Sequence, residues 1–203
     1  MGGRILNKLM GFLELREISI PTIKWEEFTP GTELSKDKLW TIRSAKFTGR
    51  DLSLPRMVGK SADECMKFAN SLCKNFRNNG LVIYYPYFVA VKSGTLMVMD
   101  NKLVVEGIHG DLWNMVETGS NKDIVIYNNT SSGTAIIEGD RNFFINDERK
   151  ELEKWVSEIR KHFKNIIFSE KGVLLEWSFA RDCDLNGNPV GEQYLVFYEV
   201  RSV

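Results

Sequence analysis

Residues 172–201 read GVLLEWSFARDCDLNGNPVGEQYLVFYEVR: two apolar-rich runs separated by a stretch crowded with turn formers. Gly172 to Asp182 and Gln193 to Arg201 are rich in Val, Leu, Phe, Tyr and Trp, which predicts two strands. Asn186-Gly187-Asn188-Pro189, inside the loop Cys183 to Glu192, predicts the turn that joins them as a hairpin. A closure symmetric about that loop sets Glu176 opposite Glu199. Strand alternation then predicts one face with Leu174, Glu176, Ser178, Leu195, Phe197, Glu199 and Arg201. The other face, with Val173, Leu175, Trp177, Phe179, Tyr194, Val196, Tyr198 and Val200, reads as the core side.

Two carboxylates facing each other across strands lie roughly 5 Å apart at Cβ, where like charges destabilise a sheet. At an effective dielectric near 20 the repulsion is about 3 kcal/mol, so the pair needs a compensating cation. A magnesium ion fits, because hard divalent cations take carboxylate oxygens and keep room for phosphate. Arg201 bridging both glutamates as a structural network fits as well. A one-residue slip of register would send one strand's set to the opposite face.

The chain has 203 residues, enough for one large domain or two small lobes. Its 27 basic and 27 acidic residues balance, so no global field favours nucleic acid or an anionic membrane. A hydrophobic content of 43% is ordinary for a globular protein, and no apolar run approaches the ~20 residues that span a bilayer. Lys8, Glu14, Arg16 and Glu17 break up any signal-peptide pattern, and Leu6 stands where a myristoylation signal wants Ser or Thr. Cys65, Cys73 and Cys183 lack metal-ligand spacing, and the first two read as thiols buried in a helix. A soluble cytoplasmic protein is expected.

Upstream of the hairpin, Ile5 to Leu15 has helical spacing, and Pro21 and Pro30 bracket an extended segment. Leu39 to Ile42 predicts a strand leading into Arg43-Ser44-Ala45. Ser61 and Glu64 form a capping box for a helix running to about Phe76. Strands are predicted at Leu81 to Val91, Thr95 to Met99 and Lys102 to Glu106, with Asp100-Asn101 as a tight turn between the last two. Asp111 is expected to cap a short helix through Val116. More strands are expected at Asp123 to Tyr127, Thr134 to Glu138 and Asn142 to Ile145. Asp147 is expected to cap one helix reaching Lys164, with Leu152, Trp155, Val156, Ile159 and Phe163 on its apolar face. Short turns between strands and three to four helices predict an α+β fold with mostly antiparallel sheets. One compact domain over 1–203 is expected, with approximate lobes 1–80 and 81–203 if it divides.

Several of these pieces, in order, resemble a shortened nucleotide-binding domain of the phosphoenolpyruvate synthase and pyruvate phosphate dikinase family. They are Gly2-Gly3-Arg4 followed by a helix and Ile18-Ser19-Ile20-Pro21; Leu39 to Ala45; Asp51-Leu52 with Gly59; Ser93-Gly94; Glu106, Gly110, Leu112, Val116 and Gly119; and the closing Leu174 to Trp177 with Leu195 to Arg201. The resemblance implies an ATP-grasp fold binding MgATP between two α+β lobes. It also implies that Glu176 and Glu199 hold the metal, and that Arg4, Arg43, Glu106, Gly110 and Arg201 hold the nucleotide. Arg43 and Arg201 would stabilise a transferring phosphoryl group. Two positions depart from the family: Arg4 stands for a phosphate-binding lysine, and Glu199 for a glutamine. An arginine keeps the charge but presents a planar fork in place of a point contact.

Two functions are open at this stage. One is phosphoryl transfer from ATP to an acceptor outside the chain, a histidine on a separate protein or a small carboxylate. The other is a degenerate homologue that keeps the fold as an interaction module without turnover. His109, between Gly107 and Gly110, is a candidate acid, base or phosphoacceptor that also reads as a plain surface residue. His162 sits where it would complement a helix dipole. Tyr84-Tyr85-Pro86-Tyr87-Phe88 reads as strand core or as an adenine-stacking wall.

Overall fold

The two halves of the hairpin form β9 (Val173–Cys183) and β10 (Pro189–Ser202) in the computed structural model, which describes residues 8–47, 54–76, 78–112, 122–169 and 172–203. Arg4, Asp51, Leu52, Val116, Gly119 and the helix expected after Asp111 lie outside the described residues. β9 and β10 edge a six-stranded sheet with β5 (Val89–Val98), β6 (Lys102–His109), β7 (Ile124–Asn129) and β8 (Thr134–Gly139), in the order β10-β9-β5-β6-β7-β8. A second sheet has the order β1-β4-β2-β3, from β1 (Glu26–Glu27), β2 (Trp40–Lys46), β3 (Arg56–Lys60) and β4 (Gly80–Pro86). The ladders β1–β4, β2–β3, β2–β4, β5–β6, β6–β7 and β7–β8 are all antiparallel. With the helices, this is the α+β class that short inter-strand turns predict.

The chain divides into two units by its contacts. Unit 1 comprises Met1–Thr22, Ala90–Ala180 and Tyr194–Val203, and unit 2 comprises Ile23–Val89 and Arg181–Gln193. The chain crosses between units at 22/23, 89/90, 180/181 and 193/194, and the hairpin tip, Arg181–Gln193, belongs to unit 2. In unit 2, α2 (Ala62–Phe76) lays Cys65, Ala69, Leu72 and Phe76 against Trp40, Ile42 and Val82. Its start is set by the expected capping box. The Ser61 hydroxyl donates to the Glu64 carboxylate at 2.6 Å, and the Glu64 N–H returns to the hydroxyl at 3.4 Å. The Ser61 hydroxyl holds the Glu64 carboxyl below its ordinary pKa, with help from the Ser61 amide. Burial, aided by the Glu64 charge, pushes the Cys65 thiol up to about 11.

In unit 1, Leu96, Val98, Leu103, Val105, Ile124, Ile126, Val173, Leu175, Trp177 and Phe179 turn one sheet face to the core, which α1 (Lys8–Glu17) and later helices help to bury. Two glycines shape that face. Gly94 and Gly107 pair across β5 and β6, and a Cβ at Gly94 would lie 1.8 Å from the Glu106 carbonyl oxygen and 2.6 Å from the Trp177 ring. A Cβ at Gly107 would meet the Phe143 ring at 2.6 Å. The hollow left by two missing side chains is filled by an aromatic run, His109–Phe143–Phe144–Trp177–Phe179, with ring centroids 4.9 to 5.9 Å apart.

Three local expectations are corrected. Residues 142–145 form a turn and no strand, because Phe143 drops onto Gly107 and is 1% exposed. The single helix expected from Asp147 to Lys164 is three: α3 (Glu148–Glu153), α4 (Val156–His162) and α5 (Lys164–Ser169). The breaks let Leu152, Val156, Ile159, Phe163, Ile166 and Ile167 all reach one core, and they bring the described helices to five. Asp147 makes no side-chain cap; its carboxylate takes Lys150 at 2.6 Å, and the Glu148 carboxylate accepts the Ile145 N–H instead, at 2.9 Å.

Two stability outcomes follow from this packing. Trp177→Ala should cost ~3–5 kcal/mol in urea unfolding through the cavity it leaves. Gly94→Ala should cost about 1–3 kcal/mol, as overpacking does, since the methyl has no room to relax. A neutral Gly94→Ala variant would contradict the close approach of β5, β6 and Trp177.

Candidate functional site

The face of the six-stranded sheet turned away from its core carries the candidate polar residues of unit 1. Leu96 and Val98 face the core, so Thr95 faces away; Val105 faces the core, so Glu106 faces away; Leu175 and Trp177 face the core, so Glu176 and Ser178 face away. Thr95 pairs directly with Glu106, and the Thr95 hydroxyl donates to Glu106 Oε2 at 2.9 Å. The neighbouring strand β9 is placed by three contacts. The Ser93 and Ser178 hydroxyls lie 2.9 Å apart, the Trp177 ring lies over Gly94, and Gly172 closes on the Val98 carbonyl. These contacts run in opposite senses along the two strands and bring Glu176 beside Thr95. Glu106, Thr95 and Glu176 therefore form a row across β6, β5 and β9.

The last member of the row depends on how β10 pairs with β9. At the tip the Asp184 N–H bonds to the Asn188 carbonyl at 3.0 Å, and at the open end the Val203 N–H bonds to the Gly172 carbonyl at 3.1 Å. Between these bonds β10 spans 14 residues and β9 only 11, so β10 carries extra residues. Gly191, at φ 74°, lies near the tip. Another irregularity falls at Tyr198-Glu199, because Phe197 and Val200 both lie in the core, which a regular alternation forbids. Leu195 and Phe197 accordingly join the core face, correcting the face expected for Tyr194 and Val196; Tyr194 is exposed. Counted inward from the Val203–Gly172 bond, Glu199 falls opposite Glu176. Glu199 is 7% exposed, Glu176 is half-buried, and Arg201, two residues beyond, is exposed.

The remaining expected residues are distributed as follows. Arg43 lies on β2 of unit 2, 7% exposed, paired with Ile83 on one side and with Arg56 on the other. Arg4 lies outside the described residues. Gly110 follows β6 with φ 78°, a backbone region that favours glycine, and donates its N–H to the Val91 carbonyl at 2.8 Å. Among the described residues no group of three His, Cys, Asp or Glu is placed to hold a metal ion. No helix among them is long and apolar enough to cross a membrane.

Some polar contacts were missed by sequence reasoning. Lys122 reaches the Oε1 of Glu106 in a short ion pair. Lys92 and Glu148 form a pair at 2.5 Å, with side chains 6% and 7% exposed, and the ammonium sits 5.3 Å from the Phe143 ring centroid. His109 donates its N–H to Asp123 Oδ2 at 2.7 Å and places Nδ1 2.9 Å from the same oxygen. His162 lies in the last turn of α4, where the dipole role places it, and also meets Glu14 of α1 at 2.8 Å. The Thr95–Glu106 contact had a signal, since the tight turn at Asp100-Asn101 already pairs them. The ion pairs had none, being long-range.

In unit 2 a groove of about 380 Å³ is bordered by Gly59, Lys60, Ser61 and Tyr87 together with Leu185, Asn186 and Gly187 of the hairpin tip. It contains none of the expected site residues.

Comparison with known proteins places the chain among distant likenesses. No protein-family model matches it, and no curated protein matches it. Three solved structures are similar in fold, each with a TM-score of 0.46. D-alanine–D-alanine ligase from Bacillus anthracis is 14% identical, over 97% of this chain and 56% of the ligase. The macrocyclase MdnC from Microcystis aeruginosa MRC, bound with its precursor peptide MdnA, is 10% identical, over 93% of this chain and 49% of MdnC. N5-carboxyaminoimidazole synthetase from Staphylococcus aureus, complexed with ADP, is 11% identical, over 94% of this chain and 42% of the synthetase. The chain thus spans about half the length of these structures. A likeness of this degree carries neither substrate nor mechanism, and none of the three is a phosphoenolpyruvate synthase or a dikinase.

Asp123 supplies a pH test of the described geometry. Burial works to raise its pKa, but the His109 amide, ring and charge outweigh burial and hold the carboxyl below its ordinary value of 3.8. A depressed folded-state pKa gives stability that is present above the unfolded value and is lost as pH falls through the folded one. Asp123→Asn should therefore flatten the acid limb of stability below about pH 4, read as urea midpoints against pH. An unchanged acid limb would show that the His109 contacts do not act on this carboxyl.

Proposed function

We propose that the chain binds an adenine nucleotide with magnesium, in the manner of an ATP-grasp domain, through the carboxylate face of unit 1. The observation that carries the reading is a buried carboxylate, Glu199, on the strand beside Glu176, on the sheet face opposite the hydrophobic core. Two carboxylates match the way magnesium is held, by one or two acidic side chains with waters and phosphate oxygens completing an octahedron. The absence of a third acidic ligand among the described residues is compatible with that division, because the nucleotide would supply the rest. Bound there, the ion would neutralise the like-charge pair and fix the polyphosphate. Arg201 would take phosphate oxygens beside it.

The finer reading, by resemblance to the phosphoenolpyruvate synthase family, is phosphoryl transfer in which Arg43 and Arg201 stabilise the transferring group. The acceptor would then come from outside the chain, on a separate protein or as a small carboxylate. Within the carboxylate row the Thr95 hydroxyl donates to Glu106 at 2.9 Å, but Thr95 is 7% exposed, so the reading takes the acceptor from outside.

A ligand that binds only the folded state stabilises it by RT ln(1 + [L]/Kd), about 2.7 kcal/mol at a hundredfold excess over Kd. Millimolar MgATP should raise the melting temperature, and ATP with EDTA should raise it less. Glu176→Gln and Glu199→Gln should each remove the magnesium-dependent part of that shift. No shift with any nucleotide in folded protein would leave the interaction module as the reading.

A further inference from the structure

We infer that the open edge of β8 is an interface that takes the β8 of a second copy of this chain, antiparallel, with Ile136 opposite Ile136 across a two-fold axis. An open sheet edge is a template for another strand, and proteins guard the edges they keep to themselves. The edge strands of the two sheets are treated differently here. β1 has two residues. β3 carries Arg56 and Lys60, has Gly59 at φ 62°, and pairs with β2 across a register shift. β10 is covered at Phe197, which bridges to Thr22 and whose N–H bonds to the Pro21 carbonyl at 2.8 Å. β8, Thr134-Ala135-Ile136-Ile137-Glu138-Gly139, has no proline, no basic residue and an unbroken one-to-one ladder to β7. Among the described residues no strand pairs with its other side.

The direction of the backbone groups fixes what that edge can bind. The Asp140 N–H bonds to the Asp123 carbonyl at 2.8 Å. Alternation then turns the backbone groups of Thr134, Ile136 and Glu138 toward β7, and those of Ala135, Ile137 and Gly139 outward. The occupant must be extended and must meet Ala135 and Ile137 with its own N–H and C=O groups. The side chains select among extended segments. Ile126 and Ile137 pair on the core face, so Tyr127 and Ile136 share the opposite one. On that opposite face Met97, Val104, Tyr127 and Ile136 are paired in turn across β5, β6, β7 and β8. The row passes from Val104, 9% exposed, to Tyr127 at 42% and Ile136 at 63%, so it ends in solvent at the open edge.

A second β8 continues that row. With Ile136 opposite Ile136, Ala135 lies opposite Ile137 and exchanges both backbone bonds with it, once on each side of the axis. The Ile136 pair is then of the non-hydrogen-bonded kind, in which side chains come closest, at about 4.5 Å between Cα atoms. On the core side the small Ala135 meets the larger Ile137. Glu138, the one charge of β8, falls opposite Thr134, so no like charges face each other. The axis stands normal to the sheet, which leaves both carboxylate faces on the same side. A foreign peptide has no charge but Glu138 to select it, whereas β8 matches itself in apolar contact, size and charge. A pairing of two six-residue strands buries less than the roughly 1,200 Å² of a standard interface. The dimer is therefore concentration-dependent, with a Kd that is roughly micromolar or weaker.

Sedimentation velocity would be run from about 1 µM to about 1 mM protein, a span that brackets such a Kd. The samples are the wild type, Ile136→Lys, Ile136→Glu and an equal mixture of the two variants, each with its melting temperature checked. Ile136 is 63% exposed, so both substitutions leave the fold intact. The wild type should show a reversible monomer–dimer equilibrium. Each variant alone should associate roughly a hundredfold more weakly or less, because two isoleucines lose their burial and like charges meet on the axis. The mixture should regain a dimer tighter than either variant alone forms, since lysine then faces glutamate. A wild type that stays monomeric throughout overturns the inference, as does a dimer that Ile136→Lys leaves untouched. A mixture no more associated than its components overturns the pairing of Ile136 with Ile136, and the proposed interface with it.

Discussion

The Trp177 ring occupies the volume that a side chain at Gly94 would need, and this one contact sets the geometry of unit 1. Because Gly94 also pairs with Gly107, the core face has a trough two residues wide, and Trp177 and Phe143 fill it from opposite sides. A large aromatic in a trough has little freedom to slide. β9 is therefore fixed against β5 to the residue, and a slip by two positions, the smallest that keeps the indole on this face, would set it against the side chain of Lys92 or Leu96. The register that places the indole also places Glu176, because the residues on either side of it must turn to the other face.

That second face is where chemistry is available. Core packing accounts for nearly every side chain on the first face, whereas the second carries Thr95, Glu106 and Glu176 in line with Glu199. A sheet tolerates such a row only if its charges are compensated. One compensation is visible in the Lys122–Glu106 pair. At the other end the buried Glu199 and the half-buried Glu176 have partners of their own, and the irregular residue pair Tyr198-Glu199 sits there. Bulges re-aim side chains where a regular strand would point them elsewhere. Here the extra residue restores Val200 to the core while Glu199 keeps to the face of Glu176.

Much of this was legible in the sequence wherever a short-range rule decides the outcome. The hairpin at residues 172–201, the Ser61–Glu64 capping box and the turn at Asp100-Asn101 each depend on residues a few positions apart. The β9 core face, Val173 to Phe179, follows from alternation alone. What was not legible depends on distant partners. Alternation assumes one residue per step, so it could not place the interruption in β10 and assigned Leu195 and Phe197 to the wrong face. Helical spacing from Leu152 to Phe163 suggested one helix, but the shape of the core it covers divides it into three. Phe143 has strand composition around it, yet it is drawn into a turn by a glycine 36 positions earlier in the chain. Lys122 carried no local signal, since its partner Glu106 lies on another strand.

The buried Lys92–Glu148 pair shows how the two faces are kept distinct. Lys92 follows the parity of Gly94 and Leu96, so it belongs to the core side, where an unpaired ammonium would be strongly disfavoured. Glu148 meets it with one carboxylate that also accepts the Ile145 N–H, and Phe143 lies beneath the ammonium. Such a pair gains little net stability, because desolvation offsets most of the attraction. Its effect is directional: it ties the start of α3 and the Phe143 turn to the strand that bears Gly94. Removing either partner would strand a buried charge beside the trough, so the turn cannot leave the glycines without that penalty. The core face is thereby held by one satisfied ion pair and one aromatic run. The cations of the other face stay in solvent: the Lys122 side chain is 40% exposed and Arg201 is exposed.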